Sequence, residues 1–298
     1  MMGHGYRTGR QVRPLPQKGV YMRHLILAGA LLAMTGTADA QTAGVPGELL
    51  NSTRRQQGDS LTVCNDASSK ILEFDREVAR AIGSALLLDV KFAQGFQGFP
   101  LSGDGFMDEL QIAMTNTCDL FMGISVQEDS PFPDWAMVTR PYATIPFVLA
   151  VKQEGWSRLG DIPHDRLIGT AIQSMGEMVY ITWNQQQPKE QRWTRLPYAD
   201  PELMLRRVED GRLAGMLLWQ PVLAALKAHH PEARALRVID TAPVPAAATR
   251  VGALVGVRDS YLRSQIDAAI DALVADGTIA EIMTRFGYEG IAGEGPVR

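Results

Sequence analysis

Beyond residue 40, the side chains best suited to redox, metal or nucleophilic chemistry are Cys64, Cys118, His164, His229 and His230. Their spacing serves none of it: HExxH, CxxC, a Walker-type phosphate loop and GxSxG are all absent from the sequence. The acidic pairs Glu128-Asp129 and Glu209-Asp210 read as solvated turns rather than acid–base couples. Neither a metal nor a cofactor is expected, and the chain is not expected to be an enzyme. What the sequence offers instead is binding chemistry, in hydrogen-bonding groups and aromatic rings at strand ends. Asn65 and Asp66 follow a first strand-like run, and Ser125 and Gln127 a third, where they face a ligand or cap turns. Gln173 and Ser174 stand between a strand and a helix, where free N–H groups favour an anionic ligand atom and where Ser174 also suits a plain N-cap. Phe96, Phe99, Trp135, Met175 and Trp219 fall on loops or strand ends, outside regular core stripes. Their convergence would make an apolar cleft for a flat solute or a partner's side chain.

The elements that position these residues are α/β. Leu61 to Cys64 reads as a strand, followed by a one-sided helix with Phe74, Val78, Ala81, Ile82, Ala85 and Leu86 at helical spacing. A strand over 89–92, a glycine-rich loop over 95–105, a helix over 106–115 and a strand over 119–122 continue the alternation of a parallel sheet. A second set follows Tyr142, with strands at 147–151, 167–172, 193–196, 213–219 and 236–239 and helices over 175–186, 201–210 and 222–229. Asp200 suits the cap of the 201–210 helix and Pro201 its first turn. After residue 250 only a strand (252–257) and two helices remain, the second opened by a Thr278/Glu281 capping-box pair. That is too little for a third domain. The expected division is a first lobe over 60–146 and 249–290, a second over 147–248, a lead-in over 41–59, a tail over 291–298, and a ligand cleft between the lobes.

The first 40 of the 298 residues read as an export signal. Met22-Arg23-His24 is a basic head, Leu25 to Met34 an apolar run too short to span a bilayer, and Ala38-Asp39-Ala40 a cleavage pattern. The 21 residues upstream point to a start at Met22 or to an extended basic region. The expected location is the periplasm, with no membrane span. After residue 40 there are 24 Lys and Arg against 32 Asp and Glu, a net charge near −8 that disfavours nucleic acid and suits a basic protein partner. In an oxidising compartment the pair Cys64 and Cys118 points to a disulfide, with two buried thiols as the alternative.

The segments Glu73 to Ile82, Arg140-Pro141-Tyr142, Glu209 to Leu213 and Leu273 to Ile282 resemble the family 3 bacterial solute-binding proteins over about residues 60 to 288. The resemblance implies a two-lobed, type 2 periplasmic binding-protein fold that closes on a small solute and presents it to an ABC permease. Amino-acid receptors of that family clamp the ligand carboxylate with an Arg, where this chain reads Ser125 to Ser130, and its ammonium with an Asp, where it reads Trp219-Gln220-Pro221. Leu61 to Asp66, Cys118 to Gly123 and Thr139 to Tyr142 resemble a narrower branch encoded beside quinoprotein dehydrogenases, of the methanol oxidation system protein J type. That resemblance implies an accessory of a PQQ-dependent dehydrogenase or its cytochrome. The cleft candidates are Asn65, Asp66, Phe96, Phe99, Ser125, Gln127, Gln173, Ser174, Met175, Trp219 and Gln220, with Arg140 and Tyr142 at the lobe junction, where Arg140 is a ligand clamp or an interlobe ion pair. The rival classes are a solute receptor of an ABC transporter and a cleft enzyme of the cyclohexadienyl dehydratase kind, for which Asp66 is the one candidate acid.

Overall fold

The computed structural model describes residues 58–93, 105–126 and 132–295. The expected export signal, Phe96, Phe99 and Gln127 lie outside them. No helix among the described residues is long and apolar enough to cross a membrane.

The first lobe grows from β1 (Ser60–Cys64), whose buried Leu61, Val63 and Cys64 need cover on both faces. It lies parallel between β2 (Asp89–Phe92) and β3 (Leu120–Ser125). One face is covered by α1 (Leu72–Ala85), which buries Phe74, Val78 and Ile82 at helical spacing and, against the pattern, Asp75. The other is covered by α2 (Phe106–Asn116). Cys64 and Cys118 are joined in a disulfide, with Cα atoms 5.7 Å apart, because Asp119, next to Cys118, is drawn to β1 by hydrogen bonds to Thr62.

The chain passes between lobes along β5 (Ala143–Val151), after the short β4 (Ala136–Val138). The second lobe holds β6 (Leu167–Ala171), α3 (Met175–Gln185), β7 (Thr194–Tyr198), α4 (Pro201–Glu209), β8 (Gly215–Trp219), α5 (Gln220–His229) and β9 (Arg237–Ile239). The chain returns through β10 (Ala248–Gly256), and α6 (Ser260–Ala275), α7 (Thr278–Arg285) and β11 (Ile291–Ala292) finish it. The sheet path is β2-β1-β3-β10-β5-β8-β6-β7. Pairs β1–β2, β1–β3, β6–β7 and β6–β8 are parallel, whereas β5 and β10 run antiparallel to their neighbours. Within β5 the partner changes: residues 143–146 face β10, and Phe147 to Val151 face β8.

β5 and β10 each begin four residues before the stretch the sequence marks as strand. Ala143–Pro146 and Ala248–Val251 have no strand periodicity of their own and become strand by pairing with each other. The edge strands β4 and β11 are likewise made by their partners β10 and β5. Asp200 caps α4 by accepting from the N–H groups of Glu202 and Leu203. The expected Thr278/Glu281 box does not form: the cap position is Gly277, at φ 88°, and Asp276 Oδ1 accepts from Thr278 N instead.

Candidate functional site

A cavity of about 800 Å³ opens where both lobes meet the crossing strands. From lobe 1 its wall takes the loop between β1 and α1, the first turns of α2 and the end of β3; from lobe 2 it takes Phe147, Ala171, Ser174, Trp219 and Val222; Thr249, Val251 and Leu254 of β10 complete it.

The β1–α1 loop is folded by its own side chains. Asp66, 5% exposed, accepts through Oδ1 from both the N–H and the hydroxyl of Ser68, each at 2.8 Å. This Asx-type turn presents Ser68, Ser69 and Lys70 to the cavity before α1 starts. Asn65 does not line the cavity, and its Nδ2 is buried without a partner among the described residues.

At the end of β3, Gly123, Ile124 and Ser125 face the cavity. Gly123 stands at φ 84°, and a Cβ there would come within 2.5 Å of Asp75 Oδ2, so the conformation and the approach both demand glycine. Behind it Tyr142, expected at the site, is wholly buried: its hydroxyl accepts from Gly123 N and donates to Asp75 Oδ1. Burial pushes the Asp75 carboxyl from 3.8 up to about 8, against the opposing pull of the Tyr142 hydrogen bond. Burial, reinforced by Asp75, also pushes the Tyr142 phenol up. The carboxyl that burial pushes up is thus Asp75, which stands behind the cavity wall.

On lobe 2, Ser174 both lines the cavity and caps α3, its hydroxyl accepting from Glu177 N at 3.1 Å. Glu177, 4% exposed, accepts from Thr170 Oγ1 at 2.6 Å and Gln173 N at 2.7 Å, and pairs with Arg195. Those bonds hold Gln173 at φ 61° with its side chain out in solvent, away from the cavity. Met175 also faces elsewhere, into a separate groove of about 310 Å³ beside Met178 and Trp183. Trp219 lies on the cavity wall and donates from Nε1 to Ile145 O at 3.3 Å, across the sheet change in β5.

Two further candidates tie elements together away from the cavity lining. Gln220 is buried and donates from Nε2 to Gly287 O at 2.9 Å, bonding the start of α5 to the chain just after α7. Arg140 is absent from the cavity lining: its N–H donates to Asp267 at 2.7 Å and its guanidinium pairs with Asp271 at 3.0 Å, both on α6. Four candidates therefore meet at the cavity: Asp66, Ser125, Ser174 and Trp219. Sequence reasoning missed Lys70, Phe106, Phe132 and Phe147 on its wall and Glu177 behind it. Glu177 had a signal, since Ser174-x-x-Glu177 has capping-box spacing; Phe147 becomes visible only as the cross-strand partner of Trp219. Among the described lining residues the charged side chains are Asp66 and Lys70, and none is Arg.

The chain is similar in structure to substrate-binding domain 2 of GlnP from Lactococcus lactis, at 14% identity, with 78% of this chain and 97% of that one covered and a TM-score of 0.60. It is similar to the L-cystine solute receptor of Neisseria gonorrhoeae, at 19% identity, 83% and 98% coverage and a TM-score of 0.59. The ancestral cationic amino acid solute-binding protein AncCDT-1 aligns at 18% identity, 76% and 95% coverage and a TM-score of 0.56. The fold is that of the two-lobed periplasmic binding proteins. In such a fold the space between lobes is where loops at strand ends converge, and the cavity described above occupies it. No protein-family model and no curated protein matches the sequence.

Proposed function

We propose that the chain is an exported, non-catalytic binding protein that holds a small organic solute in its interlobe cleft. The observation that carries this reading is the cavity itself: about 800 Å³, within the range of ligand sites, with walls drawn from two lobes and the crossing strands. The lobes are taken as 60–146 with 249–290, and 147–248, because the partners of β5 change between Pro146 and Phe147. The family 3 resemblance supports export to the periplasm. The non-catalytic reading is supported by Asp75, the carboxyl with the raised pKa, standing behind Gly123 and Tyr142, while Oδ1 of Asp66 is committed to Ser68.

Thermal unfolding across a panel of organic solutes tests it, since a ligand held by the native state alone adds RT ln(1 + [L]/Kd). Stabilisation that Trp219→Ala abolishes is expected. Turnover of prephenate or arogenate, lost in Asp66→Asn, would instead establish the lyase reading.

Within this reading we place the chain as an accessory of a PQQ-dependent, methanol-type dehydrogenase, ahead of service to an ABC permease. The support is the sequence resemblance around Cys64, Cys118 and Thr139 to Tyr142, together with a cleft in which Trp219 stands where amino-acid receptors place an acid. Co-purification with a quinoprotein or its cytochrome is the expected result. A free amino acid bound at micromolar Kd, with coupling to a permease, overturns the accessory role and leaves solute binding intact.

A further inference from the structure

The described lining of the cavity is largely apolar. Its lobe 1 side cuts into the apolar cluster on the disulfide face of the sheet, through Phe106, Leu110, Ile124, Phe132 and Leu254, with Met107 at the rim. Leu110 and Leu254 are fully buried and Met107 is 39% exposed, so this wall runs from core to surface. Water on such a wall lacks hydrogen-bond partners, whereas an apolar ligand body loses nothing there.

The polar lining groups stand on the β1–α1 loop, at Ser125, at Ser174 and at Thr249. Of the two charged side chains among the described lining residues, Asp66 is 5% exposed and its Oδ1 already accepts two hydrogen bonds from Ser68. Lys70 is exposed and has no ion pair among the described residues.

Resting on the solute-binding reading, we infer that the preferred ligand class is an anionic amphiphile: a monocarboxylate on an aromatic or short aliphatic body. The body lies against the α2 wall and the carboxylate meets Lys70 and the serine hydroxyls. A zwitterionic amino acid fits worse, because among the described lining residues its ammonium finds one carboxylate, that of Asp66, whose Oδ1 is taken by Ser68.

The full exported chain is titrated calorimetrically with 3-phenylpropionate, 3-phenylpropan-1-ol and phenylalanine. The carboxylate is expected to bind about tenfold tighter than the alcohol, a difference of about 1.4 kcal/mol, and tighter than phenylalanine. Lys70→Ala should remove the advantage of the carboxylate while leaving the alcohol unchanged. Met107→Glu, at an exposed first-turn position compatible with folding, should weaken both. Phenylalanine or the alcohol binding as tightly as the carboxylate overturns the inference and leaves solute binding standing. So does binding of a wholly polar solute when none of the three probes binds. Failure of every solute class to bind brings down both.

Discussion

Tyr142 donates a 2.6 Å hydrogen bond from its hydroxyl to Oδ1 of Asp75, joining two wholly buried side chains 67 residues apart. The same hydroxyl accepts from Gly123 N at 3.0 Å, so α1, the chain entering β5 and the cavity end of β3 are fixed to one another through a single phenol. Asp75 Oδ2 has no partner among the described residues. Tyr288, which faces Asp75, has its phenol pushed up to about 12 by burial and by that carboxyl.

A pH dependence of stability follows. Asp75 titrates at its ordinary 3.8 in the unfolded chain and near 8 in the folded one, so between those values the unfolded chain gives up a proton that the folded chain keeps. The Asp75 contribution is fully present below about pH 4 and is lost as pH rises through about 8. Asp75→Asn removes the titration, and its Tm relative to the parent should rise from about pH 5 to about pH 9. An equal Tm difference at both would show that Asp75 does not titrate in this window.

Gly123→Ala meets two penalties, a left-handed φ and a Cβ 2.5 Å from Asp75 Oδ2. A loss of about 1–3 kcal/mol is expected in urea unfolding, together with weaker binding in the cleft. Tyr142→Phe separates the causes: it keeps the ring but leaves Gly123 N without its acceptor, for a similar loss of about 1–3 kcal/mol.

Glu177→Ala should be the most costly change at the second lobe's ligand wall. It strips the acceptor from Thr170, Gln173 N and Arg195 together, and the expected loss is on the order of 3 kcal/mol. Glu177→Gln, which keeps an acceptor oxygen, should recover part of it. Equal denaturation midpoints for parent and Ala variant would rule out this bracing role.

For the disulfide, thiol labelling of the unfolded, oxidised protein should find no free cysteine. The bridge closes a sequence separation of 54 residues, for which chain entropy gives about 4 kcal/mol, so Cys64→Ser with Cys118→Ser should lose stability of that order. Labelling of both thiols would refute the pairing.

By itself the sequence determined the α/β alternation, the helices and the places where loops end strands. Periodicity in α1 and α6 and the Asp200-Pro201 start of α4 are local signals, decided by neighbours three or four residues away. For the same reason Asp66, Ser125, Ser174 and Trp219 were legible: each stands at a strand or helix end whose position is set locally. Only the tertiary structure decided what lies across the sheet from them. Residues 143–146 and 248–251 are strand because each supplies the other's hydrogen bonds, about 100 residues away in the chain. Arg140 turns to Asp267 and Asp271 because α6 packs on β4 and β10 beside it, and Gln220 to Gly287 because α5 starts beside the end of α7. Asp75 looks in the sequence like one more helix-surface acid; burial raises its pKa against the pull of the Tyr142 phenol, since desolvation acts through three-dimensional surroundings that no sequence window contains.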